Sequence, residues 1–297
     1  MKLAFTKMQG CGNDYIYINA FDAETKNVIA QCDIEALAIE VSNRHMSIGS
    51  DGLVIIEPSS IADARMRMFN LDGSEGEMCG NAIRCVTKFL YDQGIVGKQT
   101  MEIETKSGMK QVHAMVENKY VVSAQVCMGK PIIIPSAIPV KLSGDCVINY
   151  PLSVEGQVYD ITCVSMGNPH AIVVCDDVEA IDLHRIGPLI EHHPIFLNKT
   201  NVEFIEIQHE QEIKMRVWER GSGETLACGT GACASVVAAC LLQHCVMNEE
   251  VCVHLRGGDL NIRYTSDDVY MRGPCVHVFD GCIDINERLM KGERHEG

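Results

Sequence analysis

The sequence lacks the segments that would place it in or across a membrane. No run of apolar residues approaches the ~20 that span a bilayer, and the opening residues, MKLAFTKMQGCGND, contain no apolar segment of a secretory signal. Basic residues are also scarce, since 25 Lys and Arg stand against 40 Asp and Glu, a formal net charge of −15. This deficit argues against a nucleic-acid or membrane partner. The sequence predicts a cytoplasmic protein. Its net charge does not exclude a small zwitterionic amino-acid substrate, because the binding of such a substrate is decided by local groups.

Motifs for metals and dinucleotides are missing as well. The fifteen cysteines form no C-x-x-C pair, and their closest spacings lack a second pair or a histidine at zinc-finger distance. Gly10 and Gly12 do not complete the G-x-G-x-x-G fingerprint of a dinucleotide site. Many cysteines stand in apolar runs, which predicts buried, reduced side chains rather than disulfides. We therefore expect no metal site and no dinucleotide site.

One stretch of the sequence is present twice. The first copy is FNLDGSEGEMCGNA, from Phe69 to Ala82, and the second is WERGSGETLACGTG, from Trp218 to Gly231. In both copies an aromatic residue stands ten positions before a cysteine, and a glycine follows the cysteine directly. Apolar residues then recur at helical spacing. Each copy predicts a strand, a tight loop and a helix that begins at Cys79 or Cys228.

Two further blocks recur in the same order. The residues GNPH, ending at His170, correspond to GNDY, ending at Tyr15, and the strand after Asn201 corresponds to the one after Gly52. Repeated blocks in a constant order predict two similar domains around a shared cleft. We expect one domain over residues 1–128 plus 276–297 and the other over residues 129–275, with the proline-rich run 130–139 near the boundary.

The periodicity of the helices and strands predicts an α+β fold. The helix after Cys228 has almost no polar face, so we expect it to be buried on all sides. Predicted strands precede and follow both helices, which favours a curved sheet around one helix in each domain. A shorter helix is predicted after Asp33, whose side chain suits the N-cap position.

The two cysteines at helix starts indicate a particular chemistry. A helix N-terminus offers unpaired amides and partial positive charge, which bind carboxylates and lower the pKa of a cysteine. A single base tends to return a proton to the face it left, so inversion at a carbon acid favours two bases. The amides at Gly80-Asn81 and Gly229-Thr230 are suited to hold an α-carboxylate. The pattern predicts a cofactor-independent amino-acid racemase or epimerase.

The spaced motifs together resemble the diaminopimelate epimerase family. They are GND at 12–14, FNLDGS at 69–74, CGN at 79–81, GNPH at 167–170, TNV at 200–202 and ERGSGETLACGTG at 219–231. The resemblance implies interconversion of LL- and meso-2,6-diaminopimelate without a cofactor, in lysine and peptidoglycan biosynthesis. It also implies two pseudo-symmetric, barrel-like, mainly antiparallel domains, each around a central helix, and a homodimer.

The resemblance also implies roles for individual residues. Cys79 and Cys228 are the catalytic thiols, and His170 and Glu219 help them to ionise. The reacting end of the substrate is held by Gly80, Asn81, Gly229 and Thr230. Its distal ammonium and carboxylate are read by Asn13, Asn70, Asn168, Asn201, Glu219 and Arg220.

One position departs from the family pattern, and two other functions stay open. Some members carry Gln where this chain has Gly52, which offers at most a backbone contact. A related two-cysteine racemase of another amino acid, such as histidine, is the alternative among enzymes. A cysteine-rich redox or metal-binding protein is the alternative outside them.

Overall fold

A computed structural model describes residues 1–291, which form two compact units. The first unit comprises Met1–Val126 together with residues 274–291, and the second comprises Cys127–Gly273. Residues 292–297, which the expected first domain includes, lie outside the described part. The helices of the first unit are α1 (Ala23–Gln31), α2 (Ile34–Ser42) and α3 (Gly80–Asp92). Those of the second unit are α4 (Leu183–Glu191) and α5 (Gly229–Leu241).

The strands of the first unit follow one another in chain order, apart from the last. They are β1 (Lys2–Gly10), β2 (Asn13–Asn19), β3 (Gly52–Glu57), β4 (Ala64–Asn70), β5 (Glu75–Gly76), β6 (Thr100–Thr105), β7 (Gly108–Glu117), β8 (Tyr120–Gly129) and, numbered in chain order, β18 (Val276–Asp284). The pairing order is β18-β1-β2-β3-β4-β6-β7-β8, with β5 paired to β4. Only β2/β3 and β4/β6 in this order pair in parallel.

The second unit repeats this topology. Its strands are β9 (Val147–Val154), β10 (Gln157–Ser165), β11 (Pro169–Val174), β12 (Asn201–His209), β13 (Glu212–Glu219), β14 (Gly223–Glu224), β15 (Glu250–Leu255), β16 (Gly258–Tyr264) and β17 (Val269–Pro274). They pair in the order β9-β10-β11-β12-β13-β15-β16-β17, with β14 paired to β13. Here β11/β12 and β13/β15 are the parallel pairs. Strands and pairing directions therefore correspond between the units, α5 corresponds to α3, and one helix, α4, stands where the first unit has α1 and α2.

Each sheet curves around one central helix. Helix α3 contacts β1, β2 and β7, and α5 contacts β10, β11, β12 and β16, so strands from both halves of each sheet contact the same helix. Helix α5 is apolar all round, and every residue from Gly231 to Ala239 is buried. The expected α+β class, with a curved sheet around a helix, is confirmed.

The remaining helices cover the outer faces of the sheets. Helix α2 begins after Asp33, whose side chain accepts a hydrogen bond from the amide of Ala36, as the sequence predicts. It packs with α1 on an apolar cluster that includes Ile16 and Leu53. In the second unit α4 packs on a corresponding cluster around Phe204. No helix in residues 1–291 combines the length and the apolar character needed to cross a membrane.

Candidate active site

Cys79 is the N-cap residue of α3 in the first unit. Its Sγ lies 3.4 Å from Oδ1 of Asn13, and Asn81 donates Nδ2–H to the same oxygen over 3.3 Å. Asn13 donates its own Nδ2–H to Asp51 over 2.7 Å, which turns its amide oxygen towards the thiol. The fold thus brings the predicted residues Asn13, Cys79, Gly80 and Asn81 together.

Arg84 supplies positive charge behind Cys79. It lies one turn into α3, is fully buried, and donates to the carbonyl of Gly80 over 3.1 Å and to Oδ1 of Asn81 over 2.9 Å. Burial raises the pKa of the Cys79 thiol, whereas backbone amides at the helix start and the charge of Arg84 lower it. The first unit therefore partly offsets the cost of a thiolate at Cys79.

Tyr15 is a second neighbour of Cys79. This β2 side chain is 6% exposed, and its hydrogen bond to Cys79 lowers the pKa of the thiol. Burial raises the pKa of Tyr15 well above its ordinary value, so the side chain stays a phenol that donates a proton. Its ring packs on Gly52, where an added Cβ would lie 2.9 Å from Tyr15 Cε1.

Asn70 lies at the end of β4, in the turn before β5. Its Nδ2 donates to Ser74 Oγ over 3.0 Å, and its backbone N–H donates to the Ser74 carbonyl over 2.9 Å. It pairs with Gly52 across the β3/β4 ladder. The described contacts of Asn70 thus close the turn, and its predicted substrate contact stays a prediction.

Cys228 is the N-cap residue of α5 in the second unit. Its Sγ accepts the amide proton of Gly231 over 3.3 Å and lies 3.5 Å from the hydroxyl oxygen of Thr230. Burial raises the pKa of Cys228 well above its ordinary value, and the charges of Glu219 and Glu203 raise it further. This environment favours the neutral thiol more strongly than that of Cys79, whose pKa is also raised by burial.

A chain of polar contacts connects His170 to Cys228. Nε2 of His170 lies 3.0 Å from Oδ1 of Asn168, and Nδ2 of Asn168 donates to Thr230 over 3.2 Å. On the other side of the ring, Nδ1 lies 2.7 Å from Oε1 of Glu203, and both side chains are completely buried. The structure therefore joins the predicted residues His170, Asn168, Thr230 and Cys228 in one network.

Glu219 also belongs to this environment. Burial raises the pKa of its carboxyl, while the hydrogen bond from Thr225 Oγ1, over 2.6 Å, and one with Cys228 lower it. A carboxyl with a raised pKa beside a thiol is suited to exchange a proton near neutral pH.

Asn201 and Arg220 meet at the end of β13. Asn201 is buried, donates Nδ2–H to the carbonyl of Pro169 over 3.0 Å and accepts the amide proton of Arg220 over 2.8 Å. The exposed guanidinium of Arg220 donates Nη1–H to the carbonyl of Asn198 over 2.9 Å. In these contacts Asn201 fixes the backbone beside the candidate site, and its predicted substrate contact stays a prediction.

Metal-ligating side chains come together away from both candidate cysteines. Ligand atoms of Cys252, His254 and Asp259 all lie within 4.8 Å of one another. Both ring nitrogens of His254 already contact carboxylates, Nδ1 at 2.8 Å from Asp259 and Nε2 at 3.0 Å from Glu212. The ion pair with Asp259 raises the pKa of His254. This group is therefore explained as a charge-paired cluster on the sheet.

Three residues at these sites were not predicted from the sequence, although the internal repeat held a signal for one of them. In the aligned repeat, Tyr15 stands where the second unit has His170, so its place beside a cysteine was visible. Arg84 was signalled only as a charge within an apolar helical pattern. Glu203 lies in a strand whose other buried residues are mostly apolar, and nothing local marked it.

The fold has counterparts among solved structures of epimerases. A hydroxyproline epimerase from Agrobacterium vitis, solved with bound trans-4-hydroxy-L-proline, superposes with a TM-score of 0.67 at 12% identity, covering 95% of this chain and 91% of that one. At 12% identity this likeness shows the fold alone. Closer relatives specify the family.

Residues 5–134 and 162–278 match the diaminopimelate epimerase family. A diaminopimelate epimerase from Acetivibrio thermocellus is 48% identical over 287 residues, 96% of this chain and 100% of that protein. One from Agathobacter rectalis is 50% identical over 292 residues, 95% of this chain and 100% of that protein. The chain belongs to the diaminopimelate epimerase family, which confirms the resemblance in its motifs.

Proposed function

We propose that this protein interconverts LL- and meso-2,6-diaminopimelate by moving the proton at the α-carbon between two thiols. The observation that carries the proposal is the equivalent placement of Cys79 and Cys228. Each is the N-cap of a thirteen-residue central helix, in a chain whose relatives are named for this reaction. The product serves lysine and peptidoglycan biosynthesis.

Burial raises the pKa of both thiols, and the surrounding charges favour the thiolate at Cys79 over the thiolate at Cys228. Cys79 has the guanidinium of Arg84 and the helix amides nearby, whereas Cys228 has Glu203 and Glu219. We assign the thiolate to Cys79 and the thiol to Cys228 in one resting form of the enzyme. Cys79 then takes the α-proton, and Cys228 donates its own proton to the opposite face of the carbanion. The reverse reaction starts from the opposite protonation state, so no proton is gained or lost overall.

Binding of the substrate follows from the same elements. The amides at Gly80-Asn81 and Gly229-Thr230 stabilise the negative charge that develops on the α-carboxylate. This charge stabilisation and the two thiols supply the chemistry, so the proposed reaction uses no cofactor. His170 and Glu219 assist ionisation of the thiols, and the distal ends of the substrate are read by Asn13, Asn70, Asn168, Asn201, Glu219 and Arg220.

The proposal extends to the organisation of the protein. We assign the two compact units to the two epimerase halves, one with Cys79 and one with Cys228. We place the enzyme in the cytoplasm, where its biosynthetic role belongs. Exposed apolar side chains on β18, among them Val276, Val278 and Phe279, support a homodimer. Light scattering of the purified protein measures the oligomeric state.

The test is an assay of LL-diaminopimelate and a panel of L-amino acids, histidine included, in D₂O. We expect turnover of diaminopimelate with deuterium entering the product at Cα, and near-complete loss of epimerisation in Cys79→Ser and in Cys228→Ser. Cys146→Ser removes an exposed cysteine outside both sites and serves as the control.

Three outcomes count against the proposal in different ways. Full activity of either active-site variant contradicts the two-base mechanism. Turnover only of a mono-amino acid refutes the substrate and leaves the mechanism standing. Stoichiometric bound metal, or a reversible disulfide without solvent exchange at Cα, supports the metal-binding or redox alternative.

A further inference from the structure

Glu203 is a fully buried carboxylate that the catalytic scheme does not use. It lies on β12 with 0% exposure, and Oε1 is 2.7 Å from Nδ1 of the equally buried His170. Within residues 1–291, its other oxygen, Oε2, has no hydrogen-bond partner. The equivalent strand position of the first unit holds Val54, also fully buried. Because an isolated buried charge is strongly unfavourable, a carboxylate at this apolar position calls for a functional reason.

Glu203 stands directly behind the start of α5. A Cβ added at Gly231 would lie 2.7 Å from Glu203 Oε1 and 3.2 Å from Cys228 Sγ, so no side chain separates the carboxylate from the first helical turn. The other titratable groups around Cys228 are His170 on β11 and Glu219 on β13. Glu203 can therefore influence Cys228 through His170 and through its charge.

The hydrogen bonds fix the direction in which protons point. Asn168 donates its amide hydrogen to Thr230, so the oxygen it presents to His170 can only accept. Nε2 of His170 must then carry a proton. On the opposite side, Nδ1 and Glu203 share a second proton across 2.7 Å, whichever of the two holds it.

This arrangement points donors towards the catalytic sulfur. Nε2–H of His170 donates to Asn168, Asn168 donates to Thr230, and the Thr230 hydroxyl keeps its own hydrogen for Cys228 Sγ, 3.5 Å away. A hydroxyl that donates to sulfur favours the thiolate. If Nε2 lost its proton, the amide of Asn168 would turn over, and Thr230 would donate to Asn168 instead of to Cys228.

We propose that Glu203 is a positioning residue that keeps the shared proton on its pair with His170 and thereby orients Asn168 and Thr230 as donors to Cys228. Glu203 touches neither the substrate nor the sulfur in this scheme and acts through three intervening side chains. The proposal rests on the proposed catalytic role of Cys228. Its test follows the reactivity of that thiol without turnover, so failure of the epimerase assignment does not decide it.

The experiment measures alkylation of the full-length protein by iodoacetamide as a function of pH, from about pH 6 to about 10. Mass spectrometry follows the peptides that contain Cys228 and Cys79 separately. In Glu203→Gln we expect the alkylation midpoint of Cys228 to rise by about one pH unit, because a neutral imidazole carries one proton and, once the amide oxygen accepts it at Nδ1, Nε2 no longer donates to Asn168. Below the midpoint this corresponds to about tenfold slower labelling. Labelling of Cys79 should follow the wild-type curve.

Glu219→Gln provides the matched control, because it also removes a carboxylate beside Cys228. Its charge raises the pKa of Cys228 directly, so this variant should lower the midpoint. Loss of the Glu203 charge alone would also lower the midpoint, so the two substitutions act in opposite directions only if the oriented donors are lost with Glu203. A midpoint that falls or stays constant in Glu203→Gln means that Glu203 acts through its charge or not at all, and overturns the proposal.

Two further measurements keep the test decisive if Glu203→Gln does not fold. In the wild type, ¹⁵N NMR of the His170 ring should show a protonated Nε2, and an unprotonated Nε2 overturns the proposal. Thr230→Val removes the last donor and should raise the Cys228 midpoint, whereas Thr230→Ser should restore it. If Thr230→Val leaves the midpoint unchanged, the donor chain does not reach the sulfur.

Discussion

Gly52 is a position at which one added methyl group would clash with a backbone atom. It begins β3, pairs with Asn70 across the ladder and is buried. A Cβ at this position would lie 2.1 Å from the carbonyl oxygen of Phe69 and 2.9 Å from Tyr15 Cε1. Non-bonded carbon atoms prefer separations of about 3.5–4.0 Å. Gly52→Ala therefore requires β3 and β4 to separate, since the closest atom belongs to the backbone.

The expected cost follows from these contacts. Overpacking a core costs about 1–3 kcal/mol, and weakening one ladder hydrogen bond adds about 1 kcal/mol. We expect Gly52→Ala to lower the free energy of unfolding by about 2–4 kcal/mol. At roughly 2–4 °C per kcal/mol for a domain of this size, Tm should fall by roughly 4–16 °C. Gly97→Ala is the control, because a Cβ there meets nothing within 4 Å, and its stability should change by less than about 0.5 kcal/mol.

Calorimetry gives Tm, and alkylation of Cys79 reports the functional consequence. Tyr15 packs on Gly52 and forms a hydrogen bond with Cys79, so displacing its ring should slow labelling of Cys79 at a given pH. If Gly52→Ala has the same Tm as the wild type and its Cys79 is alkylated at the same rate, then β3, β4 and Tyr15 do not pack closely around Gly52. This position then has no steric role, and the family's Gln would be accommodated as readily.

Two more perturbations test buried charges of the first unit. Arg84→Met removes a buried positive charge that lowers the pKa of Cys79, so the alkylation midpoint of Cys79 should rise. The variant also loses the hydrogen bonds that Arg84 donates to Gly80 and Asn81, which should cost about 2–5 kcal/mol of stability. Asp14→Asn removes a carboxyl whose pKa is lowered by Arg44 and Lys7 against the opposing effect of burial. That carboxyl stabilises the fold above its unfolded pKa of about 3.9 and ceases to do so as pH falls through its lower folded value. Urea denaturation should therefore show a deficit for Asp14→Asn at pH 7 that shrinks in acid.

These two predictions have separate controls and failure criteria. Arg65→Met removes a more exposed arginine of the same unit, with a side chain 47% exposed, and should leave Cys79 labelling unchanged. An unchanged Cys79 midpoint in Arg84→Met would mean that its charge does not reach the sulfur. A stability deficit for Asp14→Asn that is equal at pH 7 and in acid would show that packing, rather than charge, holds Asp14.

The parts of the fold that the sequence predicted correctly depend on local signals. Helices begin directly after Cys79 and Cys228 because a glycine and an apolar pattern of helical spacing follow each cysteine. Asp33 caps α2 because its carboxylate can accept a backbone amide proton three residues on. Burial of α5 followed from the absence of a polar face. Each feature is decided within one or two turns of chain, which periodicity and capping describe.

Features that depend on distant strands were not predictable in this way. Glu203 lies in a strand whose other buried residues are mostly apolar, and only the tertiary fold places it beside a cysteine. The place of Tyr15 was indicated by its alignment with His170 in the repeat and by no local pattern. Helix α4 contains Pro188 in its interior, which on local grounds argues against a helix. Asn70 and Asn201 showed a binding pattern in the sequence, yet in the structure they also fix a turn and a neighbouring backbone amide.

The differences between equivalent positions of the repeat explain how one scaffold can supply two unequal thiols. Arg84 of α3 corresponds to Cys233 of α5, so the positive charge exists in the first unit alone. Conversely, the places of Glu203 and Glu219 are taken in the first unit by Val54 and Asn70. The shared helix start places backbone amides beside both cysteines, and the substituted neighbours then move their pKa values apart. A two-base reaction needs one group that accepts a proton while the other donates one. In the proposed mechanism, duplication therefore provides two equivalent positions, and divergence around them provides the difference in protonation that the chemistry requires.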